Sequence, residues 1–118
     1  MRKRGLVERF CAYSKAVGEQ NRMKMIKILG SHEPETLNVS DIAGILGLSQ
    51  PAATRHLKVL ESVGLFDRKR IGANVYYSLN EDALNEYYEL IGYAFAHSHT
   101  MCDYEYDCEH CPHSDTCR

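Results

Sequence analysis

The sequence predicts a mainly α-helical fold with a small β-hairpin wing, a winged helix-turn-helix, followed by a cysteine-rich tail. Three observations carry that expectation. Two short helical stretches, "VSDIAGILG" and "QPAATRHLKVLESV", are joined by a turn at Gly47, and the second is apolar on one side and polar on the other. Two strand-like runs, "LFDRKR" and "VYYSL", follow around a Gly/Asn turn, which signals a hairpin. Four of the five cysteines fall at positions 102, 108, 111 and 117, close to the end of the sequence.

Each element has its own local signal. Residues 6–29 read as two helices broken at Gly18. In the second, Met23, Ile26, Ile28 and Leu29 are expected to form the apolar face, with Arg22, Lys24 and Lys27 off it. "GSHEPET" clusters Gly, Ser and Pro without periodicity and reads as a loop. Ser40 is expected to cap the next helix, with Asp41 favourable in its first turn. Ser49 is expected to cap the following helix, where Pro51 in the first turn needs no N–H partner. That helix turns Ala53, Leu57, Leu60 and Val63 to the core and runs to Gly64. After the hairpin, a last helix starts near Glu81, with Leu84, Tyr87, Tyr88, Ile91, Ala94 and Phe95 at helical spacing. The expected division is residues 1–99 for the helical body and residues 100–118 for the tail.

With 118 residues there is room for one compact domain and a short appendage. The basic "MRKRGL" is not followed by an apolar stretch, so no signal peptide is expected, and no apolar run approaches the length of a membrane span. The expected location is cytoplasmic, without a membrane partner. In that compartment clustered cysteines are metal ligands or redox sensors more often than disulfides. The net charge of −2 hides an asymmetry. Residues 1–30 carry eight Lys/Arg against two acids, and residues 49–77 carry five against two. Residues 80–118 carry one against nine. A basic body points to a polyanionic partner, and an acidic C-terminal part to a separate task.

The polar side of the helix after Gly47 has what a groove-reading helix needs. Gln50 and Thr54 can hydrogen-bond base edges, and Ala52 and Ala53 are small enough to let the helix sit deep, near a thymine methyl. Arg55 and Lys58 suit phosphates. His56 either touches DNA or packs at the junction of helix and wing. Arg68, Lys69 and Arg70 fit a wing lying along the backbone or minor groove. The expected partner is double-stranded operator DNA read by a homodimer, because one such helix reads few base pairs and two related by a twofold axis read adjacent half-sites. A helical domain with a charged surface and no DNA is the bland alternative, and the basic hairpin argues against it.

"NRMKMIKILG", "NVSDIAGILGLSQPAATRHLKVLESVGLF" and "RKRIGANVYYSLN" resemble the ArsR/SmtB family of bacterial metal-responsive repressors, over about residues 6–95. The resemblance implies a winged-helix homodimer, joined through its first and last helices, that binds an operator and leaves it when an inducer binds. It places Ser49, Gln50, Thr54, Arg55 and His56 in the DNA-reading helix. Tyr87, Tyr88, Ile91, Tyr93 and Phe95 give the last helix apolar groups on more sides than a monomer core needs; the alternative is that the tyrosines line a wet surface. The family's sensing positions are poorly filled. A Cys-x-Cys pair before the reading helix is replaced by "LNVSD", and the reading helix has no cysteine. The last helix offers Glu81, Asp82, His97 and His99, an incomplete version of the family's Asp/His set.

The tail is the dense ligand set that remains. Its spacing, C-x5-C-x2-C-x5-C, brings Cys108 and Cys111 together in a tight turn, with Cys102 and Cys117 to complete four ligands. Thiolates are soft ligands, which favours zinc or an iron–sulfur cluster. With few aliphatic residues the tail cannot build a core of its own, so coordination would give it a fold. The pattern is similar to the iron–sulfur loop of helix-hairpin-helix DNA glycosylases, C-x6-C-x2-C-P with five residues to a final Cys. Pro112 and the last gap match, and the first gap is one short. This resemblance implies a [4Fe-4S] cluster and nothing about glycosylase chemistry. A Zn2+ site is the equal alternative, for which His97, His99, His110 and His113 are substitute ligands.

Three function classes follow: a repressor whose tail senses a metal or redox inducer, a repressor whose tail is a structural zinc staple with its inducer bound elsewhere, and an enzyme or electron carrier. A thiol-based redox sensor is a variant of the first. The third lacks a nucleophile–base constellation, a phosphate loop and a cofactor motif. Cys11 is expected to be buried and inert, the alternatives being a fifth ligand or an oxidation-prone thiol.

Overall fold

The computed structural model describes residues 5–96, 98–99, 101–115 and 117. The elements are α1 (Leu6–Val17), α2 (Gln20–Ser31), α3 (Val39–Leu46), α4 (Gln50–Ser62), β1 (Phe66–Ile71), β2 (Asn74–Leu79) and α5 (Glu81–Ala96). This is the expected winged helix-turn-helix: α3 and α4 form the helix pair and β1–β2 the wing.

Side chains set most of the boundaries. The Glu19 carboxylate accepts the Arg22 N–H at 2.9 Å and caps α2. That bond is the main reason its carboxyl is held below the usual range. The helix runs on through Gly30 and Ser31, past its expected end, as Ser31 Oγ donates back to the Lys27 and Ile28 carbonyls at 2.8 and 3.1 Å. The cap of α3 is Asn38, not Ser40. The chain is still extended at Asn38, whose Oδ1 accepts the Asp41 N–H at 2.8 Å while Asp41 Oδ2 accepts the Asn38 N–H at 3.0 Å, a reciprocal capping box. Gly47, at φ +67°, supplies the left-handed residue that turns the chain from α3 to α4. Ser49 caps α4 as expected, its Oγ accepting the Ala52 N–H at 3.2 Å.

The two strands pair antiparallel, with Phe66 opposite Leu79 and Ile71 opposite Asn74. Positive φ at Gly72 and not at Ala73 makes the tip a type II′ turn, whose twist matches the strands it joins. The core gathers Leu6, Met25, Ile42, Ala53, Leu57, Leu60, Leu65 and Phe66. Met25, not Met23, anchors α2, since Met23 is 43% exposed. Leu90 is the buried residue of α5, while Tyr88, Ile91 and Phe95 are exposed along one side of the helix and Tyr93 is exposed on another. Phe95 meets the Phe10 ring of α1 edge-on, with centroids 5.7 Å apart.

The described part of the tail consists of turns, with no helix or strand. It lies against the start of α1: the Leu6 N–H donates to the Ser114 carbonyl at 2.6 Å, and Arg9 Nη2 reaches the Asp115 carbonyl at 3.5 Å. Among the described residues no helix is long and apolar enough to cross a membrane.

Candidate nucleic-acid interface and cysteine centre

Three elements meet around an open cleft of about 470 Å³. The start of α3 contributes Ser40, α4 contributes Gln50, Thr54 and Lys58, and the wing contributes Arg68 and Asn74. Cross-strand pairing explains the wing's part. Arg68 stands opposite Tyr77 and Arg70 opposite Val75, so these side chains share one face of the hairpin, and Lys69 lies on the other. There Lys69 Nζ pairs with Glu35 Oε1 at 2.6 Å, while Arg70 Nε donates to the Gly72 carbonyl at 3.2 Å. Asn38 fastens the wing to α3. It bridges to Tyr76 of β2, and its Nδ2 donates to Asn74 Oδ1 at 3.3 Å.

Two expected reading residues face elsewhere. Ala53 is fully buried in the core, because it lies on the same helical side as Leu57 and Leu60. His56 packs neither on the wing nor in the cleft. Its Nδ1 lies 3.0 Å from Arg22 Nη1 and 3.6 Å from Glu19 Oε2, so it joins α4 to the start of α2. Arg22 adds hydrogen bonds to the Ala16 and Lys15 carbonyls at 2.5 and 3.3 Å, fixing this junction. Ser49, Gln50, Arg55 and Lys58 are exposed, and Thr54 is half-buried on the cleft wall. Asn38, Ser40 and Asn74 also line the cleft, a position the sequence reading did not assign to them. An N-x-x-D capping signature at 38–41 could have found Asn38.

The second feature is in the tail. Cys102, Cys108, Cys111 and Cys117 all line one small, mostly apolar pocket of about 30 Å³, with Val7, Asp107 and Ser114 completing the wall. All four are free thiols and half-buried. Burial pushes the Cys108 thiol up, and the nearby Cys117, Cys102, Cys111 and Asp107 add to this. The His113 N–H donates to Cys111 Sγ at 3.3 Å, a contact of the kind that tunes a metal-bound thiolate. His110 donates to Asp107 Oδ2 at 2.7 Å, which holds the Asp107 carboxyl below the usual range. His99, His110 and His113 do not line the pocket, and His97 lies outside the described residues. No group of three His, Cys, Asp or Glu among the described residues stands close enough to hold one ion. The donor set itself, four thiols on one apolar pocket, has the chemistry of a soft metal centre. Cys11 is exposed, not buried, since it sits on the outer side of α1.

A turn-linked helix pair whose second helix opens onto a cleft closed by a basic hairpin defines a winged helix-turn-helix protein. Residues 19–67 match the family described as bacterial regulatory protein, arsR family. That match spans the second helix to the start of the wing, and the relatives that the chain resembles are described as transcriptional regulators. It is 35% identical over 83 residues to a cadmium resistance transcriptional regulatory protein CadC homolog of Staphylococcus aureus, covering 70% of this chain and 64% of that one. It is 30% identical over 84 residues to a transcriptional repressor SmtB homolog of Synechocystis, covering 70% of this chain and 61% of that one. The chain thus spans under two thirds of these curated relatives. The fold matches a homodimeric winged helix-turn-helix DNA-binding domain of Mycobacterium bovis with a TM-score of 0.61, at 23% identity, covering 86% of this chain and 94% of that one.

Proposed function

We propose that this chain is a homodimeric transcriptional repressor that reads operator DNA with α4 and is controlled by a metal centre on Cys102, Cys108, Cys111 and Cys117. The observation that carries the reading is that these four thiols, the last of them fifteen positions after the first, line one pocket on a body whose polar reading helix opens onto a basic cleft. In the DNA complex Gln50 and Thr54 meet base edges, while Arg55, Lys58 and Arg68 meet phosphates. The start of α3, at Ser40, adds backbone N–H groups suited to a phosphate. The M. bovis domain of the same fold is homodimeric, and the exposed apolar face of α5 fits a twofold contact between copies. Zn2+ would supply a tetrahedral tie between the thiolates, and a [4Fe-4S] cluster would add sensitivity to oxidants. The relatives named for cadmium resistance and for SmtB favour a metal inducer.

The test joins elemental analysis to DNA binding. Anaerobically purified protein is assayed for iron, sulfide and zinc, and the operator is selected from genomic fragments. The expected result is a bound centre lost in Cys108→Ser/Cys111→Ser, and a difference between loaded and stripped protein of about 5- to 150-fold in operator affinity. Thr54→Ala should cost about 1–3 kcal/mol at the operator and much less on random DNA. A double-serine variant that responds to inducer as the wild type does would remove the tail from the sensing role.

A further inference from the structure

The cysteine pocket is walled by more than the tail, because Val7 of α1 lines it. The first turn of α1 also lacks a cap from its own side: Gly5 occupies the cap position and makes no side-chain cap hydrogen bond. The tail supplies one. The Leu6 N–H donates to the Ser114 carbonyl at 2.6 Å, and Ser114 itself lines the thiol pocket. The approach is tight. A Cβ at Gly5 would stand 3.1 Å from Ser114 Cβ and 3.2 Å from the Ser114 carbonyl oxygen. Ser114 is held in turn by the ligand loop, its N–H donating to the Cys111 carbonyl at 3.3 Å. One residue on, the Asp115 carbonyl meets Arg9 Nη2 at 3.5 Å, and Arg9 Nη1 pairs with Glu86 of α5 at 3.0 Å.

We propose that the first turn of α1 is part of the cysteine centre, and that loading the four thiolates locks the Ser114 cap in place on α1. This rests on the reading of the cysteines as a ligand set. A tail of turns with few aliphatic residues holds its Ser114 carbonyl in place only weakly by itself. Coordination at Cys111 and Cys117, on either side of Ser114, fixes that carbonyl against Leu6. A centre of four thiolates also carries net negative charge, which is favourable beside the positive end of a helix. With the start of α1 fixed, Arg9 is fixed, and through Glu86 so is its hold on α5. The state of the centre thereby reaches α5, which carries the exposed aromatic residues, and the α1 helix packed on it, without passing through the reading helix. Gly5 is the positioning residue of this contact, since a side chain there would press on Ser114 and push its carbonyl off Leu6.

The experiment is hydrogen–deuterium exchange on the full chain, stripped by chelator and then loaded anaerobically with Zn2+ alone or with Fe2+ and sulfide. Loading should slow exchange at residues 6–9 about fivefold or more, the size of one helix-cap contribution. The slowing should be absent in Cys108→Ser/Cys111→Ser. Gly5→Val should still take up metal by elemental analysis and lose the slowing. Arg9→Ala should keep the slowing at Leu6 and Val7 and lose any that reaches α5 around Glu86. Wild-type protein that binds metal with unchanged exchange in α1 would overturn the proposal while leaving the ligand set intact. So would a Gly5→Val protein that keeps full protection on loading. Protein that takes up neither zinc nor iron on these cysteines removes the underlying reading, and the proposal with it. If Gly5→Val does not fold, the comparison of loaded and stripped wild type decides.

Discussion

Arg9 and Glu86 form the ion pair that ties α1 to α5, with Nη1 and Oε1 3.0 Å apart. The other oxygen of the same carboxylate accepts the Tyr13 hydroxyl at 2.7 Å, so one acid serves two side chains of α1. Both partners are partly exposed, which limits what the pair contributes. A double-mutant cycle of Arg9→Ala and Glu86→Ala should give a coupling of about 0.5–1 kcal/mol in urea unfolding. Additive losses would show that the pair has no net effect.

The hydroxyl of Tyr13 is pushed up to about 12, first by burial and then by its bond to Glu86. An unfolded chain releases that proton near the ordinary value of 10.0. Between these two points the unfolded state holds fewer protons, so stability falls as pH rises. Below pH 10 the contribution is fully present. The ring-carbon shift of Tyr13 should therefore titrate near the top of this window, and the decline in urea midpoint across it should be shallower in Tyr13→Phe. An early titration, at the ordinary value, would contradict the buried contact with Glu86.

Arg68 and Lys69 should differ, though they are neighbours. Arg68 lines the cleft, whereas Lys69 is on the opposite face and already paired with Glu35. Arg68→Ala should weaken all DNA binding and reduce the salt slope by about 1. Lys69→Ala should do less on both counts, because the free protein already neutralises it. Equal effects, measured by anisotropy over a salt series, would mean that Lys69 exchanges Glu35 for phosphate at no cost.

Asn38 caps α3 and also holds the wing, and Ser40 does neither. Asn38→Ala should cost about 1–2 kcal/mol in unfolding free energy. Ser40→Ala should change stability little and, if Ser40 faces phosphate, weaken DNA binding. The reverse order in thermal melts would restore Ser40 as the cap.

Much of the fold was legible because its signals are local. Ser49 with Pro51, the Gly47 turn and the Gly/Asn turn of the hairpin are each set by neighbours in sequence. Ala53 was placed on the core side by its period with Leu57 and Leu60, and it is buried there, whereas Met23 and Met25 show what periodicity leaves open. A shift of one or two positions along a short helix exchanges a core anchor for a surface residue, and only the packing of several helices settles it. His56 was unreadable for another reason, since its partners Arg22 and Glu19 lie at the start of α2, more than thirty positions away. The cysteines were found by spacing, but the part of Val7 in their pocket carries no sequence signal at all. Asp107 was counted only as charge, although it lines the pocket with the thiols.

The contact between tail and α1 also has a consequence in time. Arg9 and Asp115 are 106 positions apart. At a synthesis rate of about 5–20 residues per second, the start of α1 precedes its cap by several seconds or more. The reading helix and wing are complete within that interval. On the reading proposed above, each new chain therefore exposes its helix pair and wing before its cysteines have reached the start of α1.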